Sequence, residues 1–113
     1  MLGLSGRVRV FVYAGACDMR RQIAGLSTMV HEELGRDPQC GDLYVFRGRR
    51  GDLIKILFYD RRGYCMLVKR LDEGAFRIAL DQAAAGNAVE ITHRELASLL
   101  ANAELVSSVA ASS

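Results

Sequence analysis

LYVFRGRRGDLIKILFYDRRGYCMLVKRL, residues Leu43–Leu71, is the stretch that decides the fold. It contains three apolar runs joined by two short connections, GRRGD and DRRG. Glycine and aspartate between β-branched and aromatic runs are typical of tight hairpin turns. The stretch therefore predicts a three-stranded antiparallel meander with strands Leu43–Arg47, Leu53–Tyr59 and Tyr64–Leu71.

The meander also concentrates the positive charge of the chain. Residues 44–70 include eight basic side chains and two acidic ones, a local balance of +6, whereas the whole chain has a formal net charge of +2. In a meander the two turns lie at opposite ends of the sheet, and the third strand ends beside the first turn. We therefore expect one basic rim at each end of the sheet, the first with Arg49, Arg50, Lys69 and Arg70 and the second with Arg61 and Arg62.

A strand and a helix are predicted before the meander. Val8–Tyr13, VRVFVY, is β-branched and aromatic and alternates between two faces, as strands do. Asp18 occupies an N-cap position, and apolar residues recur every three or four positions in Met19–Leu34. This pattern predicts one helix of about four turns, closed by Gly35.

One face of the meander needs a cover. The pleat of the second strand puts three apolar side chains, Ile54, Ile56 and Phe58, on the same face. An apolar sheet face must pack against another element, and the helix Met19–Leu34 has a matching apolar stripe. We therefore expect this helix to lie on that face.

The last third of the chain is acidic and gives weaker signals. Residues 72–113 contain six acidic and two basic side chains. We interpret Gln82–Ala88 as a loop or frayed helix, and Val89–Ile91 as a short strand or an extended lead-in. Thr92 and Glu95 have the spacing of a capping box, which predicts a C-terminal helix.

These elements predict an α+β fold, namely an antiparallel β-meander sheet of four or five strands with one long helix packed on a face and a short C-terminal helix. The 113 residues suit one domain, which we place at residues 1–105, followed by a frayed tail at residues 106–113. No apolar run approaches the ~20 residues of a membrane-spanning helix. With no membrane segment and no export signal, a cytoplasmic location is expected.

The sequence contains no pattern typical of catalysis or metal binding. Cys17, Cys40 and Cys65 are odd in number and more than twenty residues apart, unlike a disulfide framework or a zinc site. Asp52 and Asp60 belong to hairpin turns, where aspartate stabilises the turn backbone. We therefore expect no cofactor, no metal and no enzymatic activity.

Three segments give the chain a resemblance to a known family. They are DMR at residues 18–20, VFRGRRGDLIKIL at 45–57 and KRLDEGAF at 69–76. With these segments the chain resembles, over Val8–Leu105, the accessory protein of bacterial insertion sequences of family sixty-six, often called TnpB. The resemblance implies a protein that assists transposition and is encoded beside a separate transposase, which cleaves and joins the DNA.

The arginines connect the charge pattern with this resemblance. Clustered arginine and lysine bind DNA through its phosphates. Docking on an acidic patch of the transposase is the alternative, because arginine also pairs with carboxylates. A third interpretation is a solvated rim that keeps a sheet edge soluble, and an open edge would also allow a homodimer. The residues predicted to bind nucleic acid or a partner protein are Arg20, Arg47, Arg49, Arg50, Lys55, Arg61, Arg62, Lys69 and Arg70.

Overall fold

A five-stranded sheet with a helix on each face forms the part of the chain that this computed structural model describes, residues 6–76 and 87–101. The strand order is β4-β3-β2-β1-β5. The elements, in chain order, are β1 (Val10–Cys17), α1 (Ile23–Glu33), β2 (Leu43–Gly48), β3 (Leu53–Asp60), β4 (Gly63–Arg70), β5 (Ala88–Ile91) and α2 (His93–Ala101).

The predicted meander of β2, β3 and β4 is confirmed. Both neighbouring pairs are antiparallel. The β3 and β4 strands stay in register from Leu53 opposite Arg70 to Asp60 opposite Gly63. The end of β4 therefore lies beside the first turn, as the meander topology requires.

Strand β1 shows that the prediction of a fully antiparallel sheet was wrong. Strand β1 runs parallel to β2, with Val10 opposite Leu43. It runs antiparallel to β5, with Val10 opposite Ile91. The reason is the connection between β1 and β2. Helix α1 carries the chain back along the sheet, so β2 starts at the same end as β1. The strand–helix–strand order of residues 8–47 is the sequence signature of this parallel pair.

Helix α1 is shorter than the predicted Met19–Leu34. It comprises Ile23–Glu33, 11 residues, and its N-cap position is Gln22. The prediction of Asp18 as the cap was wrong, because the Asp18 carboxylate accepts a bond from the backbone N–H of Arg20 at 3.0 Å. Aspartate readily forms such local turns, and these compete with the helix.

Helix α1 also covers the opposite face of β3 from the one predicted. Its buried side chains Leu26 and Val30 pack in one hydrophobic core with Tyr44 of β2 and Leu57 of β3. The central strands are apolar on both faces, as strands beneath two layers usually are. For this reason an apolar stripe alone did not determine the face that α1 would cover.

The predicted face of β3 packs against α2. Ile54 and Ile56 form a second hydrophobic core with Leu96 and Leu99 of α2 and with Phe76. All five side chains are almost fully buried. The two helices therefore hold opposite faces of the same central strands.

Helix α2 begins at the predicted capping box. The Thr92 N–H donates to Glu95 Oε1 at 2.8 Å, and the Glu95 N–H donates to Thr92 Oγ1 at 3.0 Å. Of the interpreted loop Gln82–Ala88, residues 82–86 lie outside the described residues, and Ala88 begins β5. The predicted tail, residues 106–113, also lies outside them. Neither described helix is long and apolar enough to cross a membrane.

Candidate nucleic-acid interface

An open cavity of about 500 Å³ lies at the end of the sheet where β2 turns into β3. It is lined by residues 16–20, which end β1 and follow it, by residues 48–50, 52 and 53 around the turn, and by Arg70 at the end of β4. Four of its lining residues are arginines. We call these four the first rim: Arg20, Arg49, Arg50 and Arg70. Lys69, which was predicted to lie in this rim, does not line the cavity.

The parallel pairing of β1 and β2 brings Arg20 to this end of the sheet. Cys17 at the end of β1 is the pairing partner of Gly48 at the end of β2, so the segments that follow both strands start side by side. A Cβ atom at Gly48 would lie 2.6 Å from Cγ of Met19, which shows how closely the two segments approach. An antiparallel β1 would have put Arg20 at the other end of the sheet.

Two arginines of the first rim form ion pairs. Arg20 Nη2 lies 2.9 Å from Asp18 Oδ2, and Arg70 Nη1 lies 3.5 Å from Asp52 Oδ2. Hydrogen bonds from the side chain and the backbone N–H of Arg20 lower the pKa of Asp18 to about 2. Asp18 is therefore ionised at neutral pH and offsets the charge of Arg20.

The other two arginines, Arg49 and Arg50, carry the uncompensated charge. Both are exposed on the first turn of the meander. Neither forms an ion pair with any of residues 6–76 or 87–101. A ligand can therefore reach these two guanidinium groups without first displacing a carboxylate of the described residues.

The segment after β4 holds the first turn in place. The Phe76 N–H donates to the Gly51 carbonyl at 2.7 Å, and the Leu71 N–H donates to the Asp52 carbonyl at 2.8 Å. Arg47 Nη1 donates to the Phe76 carbonyl at 3.0 Å. The segments KRLDEGAF and VFRGRRGDLIKIL thus form one structural unit, which presents the two exposed arginines on a fixed backbone.

The second rim, Arg61 and Arg62, is the two-residue turn between β3 and β4. Both residues are exposed, and their φ angles are +54° and +81°. Positive φ at both positions is what a type I′ hairpin turn requires, and Asn-Gly is the favoured sequence there. Two arginines hold a backbone conformation that side-chain-bearing residues rarely adopt.

Three predicted binding residues use their charged groups inside the protein. Lys55 is 5% exposed, and its Nζ donates to the Arg21 carbonyl at 2.7 Å. Arg47 donates to the segment after β4, and the Nζ of Lys69 donates to the Leu100 carbonyl of α2. These side chains join neighbouring segments to the sheet, so we leave them out of the proposed binding surface.

The sequence analysis placed Asp52 in the first turn but missed that Asp18 lies in the same cavity. Asp18 and Asp52 line the same cavity although they are far apart in the chain. Only the parallel pairing of β1 with β2 brings the two carboxylates together, and no local sequence pattern predicts that they are neighbours. The strand–helix–strand order was the one signal that could have indicated it.

The cavity also contains a thiol, Cys17. Burial raises the pKa of Cys17, and the nearby positive charge of Arg21 only partly opposes this effect. A thiol with a raised pKa is mostly protonated at neutral pH and is a poor nucleophile. No cluster of three histidine, cysteine or acidic side chains that could bind a metal occurs within residues 6–76 and 87–101.

A separate charged cluster lies at the opposite end of β1 and β2. Arg36 Nη2 is 3.0 Å from Asp42 Oδ2, and the Arg36 guanidinium lies 4.0 Å from the centre of the Phe11 ring. Burial raises the pKa of Asp42, but hydrogen bonds from the Arg9 backbone, the Cys40 thiol and Arg36 outweigh it and leave a lowered pKa. Because its charges are paired, this cluster stabilises the fold and offers little free charge.

Comparison with known proteins agrees with the resemblance of the sequence. The family model described as IS66 Orf2 like protein matches residues 8–109. "Uncharacterized protein y4hO" of Sinorhizobium fredii (strain NBRC 101917 / NGR234) is 40% identical over 100 residues, which cover 88% of this chain and 84% of that protein. "Uncharacterized protein y4jC" of the same strain is 37% identical over 76 residues, which cover 67% of this chain and 65% of that protein. No solved structure matches the chain. Because the family model spans almost all of the 113 residues, the chain belongs to the IS66 Orf2-like family.

Proposed function

We propose that this protein assists the transposition of an insertion sequence by binding DNA through the first rim. Membership of the IS66 Orf2-like family supports the accessory role. The observation that carries the DNA-binding part is the exposure of Arg49 and Arg50, which form no ion pair within the described residues. The main ligands of the first rim are the phosphates of the DNA backbone.

Phosphate binding suits the chemistry of the first rim. Each guanidinium can donate two parallel hydrogen bonds to a phosphate, which makes arginine a specific phosphate ligand. The turn that carries Arg49 and Arg50 is held by main-chain bonds to Leu71 and Phe76, so little backbone freedom is lost on binding. Contacts to phosphates position a protein on DNA but do not read its sequence, so binding is weakly sequence-dependent.

A second candidate function is docking on the transposase through the same rim. The mixed charge of the cavity favours it, because Asp18 and Asp52 lie among the arginines and suit a partner surface with charges of both signs. In that case the protein is an adaptor, and the DNA contacts belong to the transposase.

One double variant tests both functions. With Arg49→Ala/Arg50→Ala, DNA binding through the first rim loses about two phosphate contacts, and the log–log salt slope flattens by roughly 1.8 at ~0.9 per phosphate. The matched control, Arg49→Lys/Arg50→Lys, keeps both charges and retains most of the slope. The measurement is a potassium chloride titration of binding to a mixed-sequence duplex.

A pull-down with the transposase encoded beside the protein completes the test. If the alanine variant binds DNA like the parent but no longer co-purifies with the transposase, the adaptor function is correct. A variant that matches the parent in both experiments would contradict both functions. Unchanged circular dichroism and urea unfolding would show that the variant is folded.

A further inference from the structure

The turn formed by Arg61 and Arg62 has an unfavourable sequence for its backbone conformation. Both residues have positive φ, where Asn-Gly would fit with much less strain. Both side chains are exposed, and no ion pair with a described residue holds either one. Strained backbone that packing does not explain is typical of a functional site. This strain suggests that the two charged side chains bind another molecule.

Strand β4 connects this turn directly with the first rim. It is paired with β3 at eight successive positions, from Gly63 opposite Asp60 to Arg70 opposite Leu53, without a bulge. At ~3.4 Å per residue, the two ends of the strand are roughly 24 Å apart. One strand of B-DNA presents a phosphate every ~3.4 Å along the helix axis, so about seven base pairs span the same distance.

No strand among the described residues pairs with the outer edge of β4. Strand β4 is the last strand of the sheet, and β3 is its one partner among the described strands. Its sequence, GYCMLVKR, contains no acidic residue, and Val68 is 50% exposed. Backbone N–H groups at such an edge can donate to phosphate oxygens. One carboxylate, exposed Asp60, lies beside the arginine turn and reduces its charge.

We infer that a DNA duplex lies along the edge of β4, with phosphates bound by Arg61 and Arg62 at one end and by the first rim at the other. This inference rests on the proposed DNA binding and extends it to a second contact. A small acidic patch on a protein fits the two rims less well, because the separated charges match an extended polyanion.

Replacing the turn by its preferred sequence tests the inference. Arg61→Asn/Arg62→Gly removes two charges and relieves the positive-φ strain, so the variant folds at least as well as the parent. We expect a higher urea midpoint together with weaker DNA binding and a salt slope flatter by roughly 1.8. The control Arg61→Lys/Arg62→Lys keeps both the charge and the strained backbone, and it retains the slope of the parent.

The length of the duplex gives a second readout. Hairpin-closed duplexes of increasing length should show a rise in parent affinity once they exceed the roughly seven base pairs that span both rims. The Arg61→Asn/Arg62→Gly variant should show no such rise. A longer duplex also offers more overlapping binding positions, which raises the affinity gradually. If the affinity of the parent rises only in this gradual way, with no step at about seven base pairs, the path along β4 is wrong.

The two rims can fail separately. If Arg49→Ala/Arg50→Ala weakens DNA binding and Arg61→Asn/Arg62→Gly leaves it unchanged, the path along β4 is wrong and the proposed function stands. If neither variant affects DNA binding, both are wrong. If the turn variant binds DNA like the parent but no longer co-purifies with the transposase, the strained turn contacts protein, and the inference is overturned.

Discussion

Lys55 donates a hydrogen bond from its Nζ to the carbonyl oxygen of Arg21, 2.7 Å away. The bond lies on the face of the sheet that α1 covers. Lys55 belongs to β3, and Arg21 belongs to the segment between β1 and α1. The bond therefore ties to the central sheet the segment that also carries Arg20 of the first rim. A side chain predicted to bind nucleic acid or a partner protein instead helps to position one of the residues of the first rim.

Lys55→Met keeps the aliphatic part of the side chain but removes this bond. The Arg21 carbonyl loses a charged donor, and bonds of this kind contribute about 1.5 to 3 kcal/mol. We expect the free energy of unfolding to fall by about that amount, as measured by urea denaturation. Arg94→Met on α2 is the control, because Arg94 is exposed and its loss should change stability by no more than about 0.5 kcal/mol. A Lys55→Met protein as stable as the parent would show that the bond contributes nothing.

Gly48→Ala tests the close approach of the segments that follow β1 and β2. The new Cβ would lie 2.6 Å from Cγ of Met19, so we expect destabilisation by about 1 to 3 kcal/mol from overpacking. A second change, Met19→Ala, removes the obstructing atoms and should recover part of that loss. Gly63→Ala is the matched control, because nothing lies within 4 Å of its Cβ position. Equal urea midpoints for Gly48→Ala and Gly63→Ala would contradict the close approach.

Most features that depend on neighbouring residues were predictable from the sequence, although the N-cap of α1 is Gln22 and not the predicted Asp18. Features that depend on distant pairing were not predictable. The capping box of Thr92 and Glu95 and the two glycine-containing turns are encoded within a few residues. The parallel partnership of Cys17 with Gly48 joins residues 31 positions apart, and an alternating pattern fits either strand direction. The meander topology alone predicted that Arg49, Arg50 and Arg70 lie at the same end of the sheet. The position of Asp18 beside them depends on the parallel pairing of β1 with β2.

The pH dependence of stability should reflect Asp42. Its pKa in the folded protein is lowered, because hydrogen bonds from Arg9, Cys40 and Arg36 outweigh the opposing effect of burial. The resulting stabilisation is complete above the unfolded pKa of about 3.9 and is lost as the pH falls through the lower folded value. Asp42→Asn should be less stable than the parent at pH 7, with a smaller loss of stability between neutral and acid pH.

Urea denaturation at a series of pH values measures this effect. Asp37→Asn is the control, because Asp37 is exposed and forms no ion pair within the described residues. Its stability should follow the same pH curve as the parent. If the free energy of unfolding of Asp42→Asn depends on pH in the same way as that of the parent, another group causes the loss of stability in acid.

Asp52→Asn should strengthen DNA binding through the first rim. Asp52 Oδ2 lies 3.5 Å from Arg70 Nη1, and the Arg70 side chain is 63% exposed. Removing the carboxylate frees Arg70 for a phosphate, so the log–log salt slope should become steeper by about 0.9. The fold should change little, because the backbone carbonyl of Asp52 still accepts the Leu71 N–H at 2.8 Å.

The same variant separates binding from catalysis. A carboxylate that served as a metal ligand or general base in DNA cleavage would be essential, so its amide variant would lose activity. We expect instead that parent and Asp52→Asn proteins both leave supercoiled plasmid intact with magnesium or manganese present, while the variant binds DNA more tightly. Nicking by the parent that disappears in the variant would give Asp52 a catalytic role. Unchanged DNA affinity would show that Arg70 does not contact the DNA.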